Sequence, residues 1–197
     1  MSEIKIIEKP ESVSWETIRD VLQQAHQVHF DAGLVMYTTT LTAEQLETRI
    51  KKNGVCYVAM DGDQVVGTGS IRIMDFHRWY CNGSAAEFTM LGVLPSYQGR
   101  HIGTELTKAR EEEVKRRGIG TICFDTAERN TRKIQMSLKD QYRLVDYRFR
   151  NGHYSIVMVK WLEKSPFSKF YCKMRFNYKK TKVRFLHFLK PNVKRIG

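Results

Sequence analysis

The chain has 197 residues, 42% of them hydrophobic, and a formal net charge of +12; that is one domain's worth, long enough to bury a core. Its four cysteines, Cys56, Cys81, Cys123 and Cys172, form no C-x-x-C pair and have no histidine at metal spacing, which argues against zinc and against a disulfide framework and fits a reducing cytoplasm. The N-terminal MSEIKIIEKPES lacks the apolar core of a secretory signal, and no apolar run reaches the length of a bilayer span, so the chain reads as soluble or at most peripheral at the inner face of a membrane.

After an N-terminal strand, Ser12 or Ser14 caps a helix in which Ile18, Val21, Leu22, Ala25 and Val28 recur at helical spacing, and Asp31-Ala32-Gly33 ends it. Thr42-Ala43-Glu44-Gln45 is a capping-box pattern opening a short helix, with Leu46 and Ile50 as its apolar side and Asn53-Gly54 as its stop. Val55–Met60 and Gln64–Met74 read as strands joined by a tight turn at Asp61-Gly62-Asp63. Asp75–Ser84 reads as a loop rich in aromatic and polar residues, including Phe76, His77, Trp79 and Tyr80.

The strand Glu87–Leu94 organises the rest. Alternation puts Glu87, Thr89, Leu91 and Val93 on one face and Phe88, Met90, Gly92 and Leu94 on the other; both are mostly apolar, as in a central strand covered on both sides. A carboxylate at Glu87 is costly there unless it faces a wet cleft or finds partners, and desolvation would push it towards a useful general base. A Pro95-Ser96 turn leads to the loop Gln98-Gly99-Arg100-His101-Ile102-Gly103-Thr104 and then to a helix, His101–Arg117, with Ile102, Leu106 and Ala109 as its apolar stripe. A helix start offers unpaired N–H groups and the positive end of the peptide dipole, glycines allow close approach, and Arg100 adds charge, so this junction suits an anion such as a phosphate. Thr121–Thr126 follows as a strand, and the short return predicts parallel pairing beside the organising strand. Asn130 precedes a helix, Thr131–Asp140, and the hairpin Arg143–Arg150, Asn151-Gly152, His153–Trp161 closes this part of the chain.

The run Val93–Gly103 resembles the acyl-CoA-binding motif of the GNAT superfamily of N-acyltransferases, Gln/Arg-x-x-Gly-x-Gly/Ala after a central strand. Gln98, Ile102 and Gly103 match, and His101 stands where the first motif glycine is usual. Glu87, in an Ala-Glu-apolar strand start, matches the place where many members keep their general base. The resemblance spans roughly residues 1–163 in order of elements, and it implies an α/β fold with a mixed sheet flanked by helices. It implies acetyl-CoA or another acyl-CoA as donor and a small-molecule amine as acceptor, with no metal. Leu91, Val93, the amides of Gln98–Thr104 and Asn130 would bind the donor, and Glu87 would be the base. A backbone N–H near Val93 would stabilise the oxyanion. Ser137 stands where the family's tyrosine acid is usual; Tyr142 or Tyr147 could replace it, although both read better as core or strand residues. The early helices, their connection and the aromatic loop would line the acceptor pocket, making His26, His29, Tyr37, His77, Trp79 and Tyr80 candidates for contact.

Charge divides the chain in two. All 21 acidic residues lie in residues 1–163 together with 22 of the 33 Lys and Arg, while residues 164–197 carry the other 11 and no acid. In that tail Phe167, Phe170, Tyr171, Met174 and Tyr178 sit at helical spacing, and Lys169, Lys173, Arg175, Lys179 and Lys180 lie mostly off the stripe. The pattern suits an anionic membrane surface, or packing on the protein's own body or on a second copy, ahead of nucleic acid. The reading is transfer of an acetyl or other short acyl group to an amine, with an anionic or membrane-associated acceptor such as an amino sugar. The alternatives are an acyl-CoA-binding module without turnover, and a nucleic-acid- or membrane-binding protein acting through its tail.

Overall fold

Local signals set the first two helices. In the computed structural model, which describes residues 3–33, 37–150, 152–163 and 166–189, α1 spans Trp15–Asp31 and Ser14 caps it by accepting from the Thr17 amide at 3.1 Å. Val28 is an exception to the expected stripe: it lies in the last turn and is exposed, because only the first three turns lie on the core. In α2, Ala43–Lys51, both halves of the capping box form: the Gln45 amide donates to Thr42 Oγ1 at 3.2 Å and the Thr42 amide to Gln45 Oε1 at 2.9 Å.

The chain divides into two compact units. One is formed by residues up to Asp75 with Ser84–Ile119; the other by Phe76–Gly83 with the residues from Gly120 onward. In the first, β1 (Lys5–Glu8), β2 (Gly54–Asp61), β3 (Gln64–Arg78) and β4 (Cys81–Val93) lie in that order. β1 and β2 pair antiparallel from Lys5↔Met60 to Glu8↔Tyr57, and β2 pairs antiparallel with β3 with a register shift at Ala59/Met60. Ile18 and Leu22 of α1, Leu46 of α2, Val58, Val66 and Leu106 form its fully buried core. Leu106 belongs to α3, Ile102–Arg116. α1 comes so close to β4 that a side chain at Gly92 would meet Ala25 Cβ at 3.0 Å.

The second unit holds β5 (Thr121–Ala127), β7 (His153–Trp161) and β6 (Arg143–Arg150), in that order and antiparallel. α4 (Thr131–Lys139) and α5 (Lys169–Leu189) accompany them, and α5 packs on β6. Asn151 of the expected turn and residues 164–165 and 190–197 of the tail lie outside the described residues.

The segment expected as a loop, Asp75–Ser84, is not one. β3 runs on to Arg78 and β4 starts at Cys81, leaving only Trp79-Tyr80 as the turn. Polar residues at strand positions hid this: cross-strand pairing satisfies the backbone whatever the side chains, and Ser84 Oγ donates to Asp75 Oδ1 at 3.0 Å.

Candidate functional site

β4 presents Glu87 with a side chain only 17% exposed. Its Oε2 accepts from Arg49 Nη2 of α2 at 2.9 Å and from Arg72 of β3, at 3.0 Å from Nε and 2.9 Å from Nη2. Oε1 receives no donor among the described residues. The carboxylate thus has one oxygen anchored and one whose lone pairs are free to take a proton. Arg49 and Arg72 also line an open cleft of about 650 Å³ with Tyr37, Leu41, Thr48 and Lys52. Tyr37 is exposed and has the Arg49 guanidinium 5.7 Å from its ring centroid. Neither arginine was legible as a site residue; the signal was indirect, in that a carboxylate in an apolar strand needs cationic partners.

Burial along β4 alternates as expected, with Phe88, Met90 and Leu94 buried and Leu91 and Val93 partly exposed. The backbone does not keep step: Met90 has φ of 53°, a left-handed residue inside a strand, which breaks the regular ladder. The next carbonyl, Leu91 O, lies 3.0 Å from His26 Nε2 of α1. A carbonyl only accepts, so Nε2 carries the hydrogen, and His26 Nδ1 is a buried lone pair with no donor among the described residues. Burial pushes the His26 pKa down; the bond to Leu91 opposes this and the charge of His29 adds to it. His26 therefore braces the strand. His29, the other candidate on α1, is partly exposed, its ring centroid 5.5 Å from that of His26.

The loop after β4 turns through a short 3-10 helix, Pro95–Tyr97, and enters α3 through Gly99 and His101 at φ of 80° and 61°. His101 shows why glycine is usual here: the position is left-handed, which histidine tolerates better than most side chains. The amides of Thr104 and Glu105 donate to the His101 carbonyl at 2.9 and 3.1 Å. Among the described residues, the amides of Gly99, Arg100, His101, Ile102 and Gly103 meet no backbone carbonyl. Five N–H groups at and just before the positive end of a 15-residue helix are what an anion cradle requires. A Cβ on Gly99 would meet nothing within 4 Å and one on Gly103 only Val93 at 3.9 Å, so the cradle is open. Gln98 is exposed and donates its side-chain amide to the Val93 carbonyl at 3.1 Å. Arg100 lies over Tyr97, whose hydroxyl donates to Asp61 at 2.9 Å, while Ile102 is buried and Thr104 exposed.

The remaining candidates lie in the second unit. Asn130 is the N-cap of α4, accepting from the Lys133 amide at 3.3 Å. Ser137 is buried in that helix, and its carbonyl takes the Tyr142 amide at 2.9 Å. Tyr142 is buried edge-on against Phe124, as a core residue is. Tyr147 is fully buried; its hydroxyl donates to Glu128 at 2.6 Å, and burial followed by that bond pushes its pKa well up. Tyr80 is buried too, its hydroxyl taking Arg148 Nη2 at 3.2 Å and its pKa pushed up to about 12 by burial against the pull of Arg148. Trp79 is packed edge-on against Phe167 and Tyr171, and His77 is exposed.

The sequence profile of the acetyltransferase (GNAT) family matches residues 15–139, more than half of the chain. The chain belongs to the GNAT acetyltransferase family. Solved structures agree on the fold. An acetyltransferase from Streptococcus agalactiae is similar at 17% identity with a TM-score of 0.64, covering 82% of this chain and 100% of its own. The paia N-acetyltransferase of Thermoplasma acidophilum, in complex with coenzyme A, gives 18% identity and a TM-score of 0.63 over 81% of this chain and 99% of its own. The ribosomal-protein-S18-alanine N-acetyltransferase of Escherichia coli gives 12% identity and 0.63 over 84% and 100%. No curated protein sequence matches. GNAT membership supports acyl transfer from CoA, and the open amide cradle fits the phosphates of such a donor.

Proposed function

We propose that this GNAT protein moves an acetyl or other short acyl group from CoA to a primary amine by direct attack with donor and acceptor bound together. The observation that carries the reading is Glu87: a half-buried carboxylate beside a cleft, anchored through Oε2 and free at Oε1. Acyl-CoA supplies the acyl group as a thioester. The amides of Gly99–Gly103 hold its pyrophosphate, with Arg100 adding charge. An amine acceptor with a pKa near ~10.4 arrives protonated at neutral pH, and Glu87 Oε1 takes that proton. Arg49 and Arg72 fix the carboxylate so that its free oxygen faces one way. A backbone N–H near Val93 would stabilise the oxygen that gains charge. Ser137 and Tyr142, buried in their own unit, give no ready acid, and a thiolate leaves without one.

An anionic acceptor, such as an amino sugar bearing phosphate or carboxylate, fits the cations that line the cleft. The four thiols are free, which suits a reducing compartment.

The deciding experiment is release of free thiol from acetyl-CoA across an amine panel, for the native chain and for Glu87→Gln. The expected result is a fall in kcat of about 10²–10⁴ with CoA binding, read by thermal shift, unchanged. Equal rates in the two proteins would remove Glu87 as base. A second reading, an acyl-CoA-binding module without turnover, is favoured by the double arginine clamp on Glu87. It predicts a thermal shift with acyl-CoA and no thiol release from any amine.

A further inference from the structure

Helix α5 has two apolar faces. The inner one packs against its own unit: Cys172 and Phe176 are buried, His187 Nδ1 lies 2.6 Å from the Tyr154 hydroxyl, and Lys180 and Arg184 reach Glu128 at 2.7 and 2.9 Å. The stripe expected from sequence is partly consumed as well, since Phe167 and Tyr171 stack on each other and edge onto Trp79. On the opposite side, Phe170, Met174, Tyr178, Phe185 and Phe188 recur at helical spacing and are 77%, 49%, 67%, 59% and 81% exposed. Five large apolar side chains in one exposed row exceed what scattered surface residues explain and mark an interaction surface.

We propose that this outer row seats α5 in the surface of an anionic lipid membrane, lying along it. The charges choose this occupant. The helix carries seven Lys and Arg and no acid, and exposed Lys173 and Lys182 flank the row on its two sides. A lipid surface takes both features at once, because acyl chains receive the aromatic row and acidic headgroups receive the flanking lysines. A second copy would meet the row with an equally basic helix. Nucleic acid would match the charge but offers no continuous apolar bed for Met174 and three phenylalanines. The 21-residue helix spreads the row along about 30 Å of its length, enough to lie along a lipid surface. No helix among the described residues is long and apolar enough to cross a membrane, so the helix lies on the surface and does not span it. This proposal does not depend on the acyl-transfer reading.

The test is co-sedimentation of the full chain with vesicles of equal parts phosphatidylglycerol and phosphatidylcholine, against vesicles of phosphatidylcholine alone. Expected is binding to the mixed vesicles that weakens with salt, and little to the neutral ones. Phe170→Ser and Phe188→Ser should each lower the partition coefficient about tenfold, and Lys173→Gln or Lys182→Gln about fivefold. Because all four positions are exposed, the melting temperature should hold and so exclude misfolding. Absence of binding to mixed vesicles would overturn the proposal, as would serine variants that bind as tightly as the native chain. So would a dimer in solution, by analytical ultracentrifugation, that the serine variants abolish, or tRNA binding lost in those variants while vesicle binding persists.

Discussion

At the scale of single residues, Glu87 and His26 use burial in opposite senses. Glu87 gives one oxygen to two guanidinium groups, so Arg49 and Arg72 supply the partners that a carboxylate in an apolar strand needs. His26 has no counter-charge. It is held neutral by burial, and its single hydrogen goes to the Leu91 carbonyl. A histidine whose folded pKa lies below its unfolded value near ~6.5 protonates first in the unfolded chain. Its contribution is therefore complete above about pH 6.5 and is lost as pH falls through the folded value. Urea midpoints compared at about pH 8 and about pH 5 should show this loss in the native chain, while His26→Gln, which keeps an N–H donor, should show less of it. An unchanged pH dependence in the variant would mean that another group is responsible.

At the scale of elements, the entry to α3 poses a sharper question. His101 occupies a left-handed position at φ of 61°, which costs a non-glycine side chain roughly 1–2 kcal/mol. Replacement by glycine removes that strain but loosens the unfolded chain by about 0.5–1 kcal/mol, so His101→Gly should be near neutral or slightly stabilising. His101→Val, β-branched, should lose about 1–3 kcal/mol and weaken CoA binding in a thermal-shift titration. Elements with a chemical start and stop were legible: Ser14, Thr42 and the turn at Asp61-Gly62-Asp63 fall where the structure has them. The long hairpin across Asp75–Ser84 was not, because its strand character comes from cross-strand pairing that no local pattern carries. The arginine clamp on Glu87 was hidden for a related reason. Residues 49, 72 and 87 meet only once α2, β3 and β4 are packed, whereas Glu87 itself stood out as a charge in an apolar strand. In α5 the spacing of apolar positions was readable, but which side the sheet would cover was not.

At the scale of the whole molecule, the division of charge is also a division of labour within α5. Lys180 and Arg184 are spent on Glu128, while the exposed lysines point elsewhere. Burial pushes the Glu128 carboxyl up, but hydrogen bonds from Lys180, Tyr147 and Arg184 outweigh it and hold the pKa at about 2. A carboxylate depressed in the fold contributes stability that is full above the unfolded value near 4.5 and is lost as pH falls towards 2. Acid titration followed by circular dichroism should show loss of helix in that window, and Glu128→Gln should lower helix stability at neutral pH and flatten the acid dependence. A native acid profile in the variant would place the anchor elsewhere. Because α5 covers β6, deleting the tail would uncover that strand as well as remove charge, so point changes on the outer row separate docking from folding where truncation does not.

Trp79, at the turn of the β3–β4 hairpin, is enclosed by Phe167, Tyr171 and the guanidinium of Arg175 5.2 Å above its ring. Of the three tryptophans, Trp79 and Trp161 both touch Phe167, and Trp15 belongs to the other unit, with Lys9 Nζ 5.1 Å from its ring centroid. An indole in such a cage emits at shorter wavelength than one in water. Any loosening of the segment that leads into α5 would shift this emission to longer wavelength. The chain is thus labelled, by its own composition, with an optical gauge of whether its basic helix is seated.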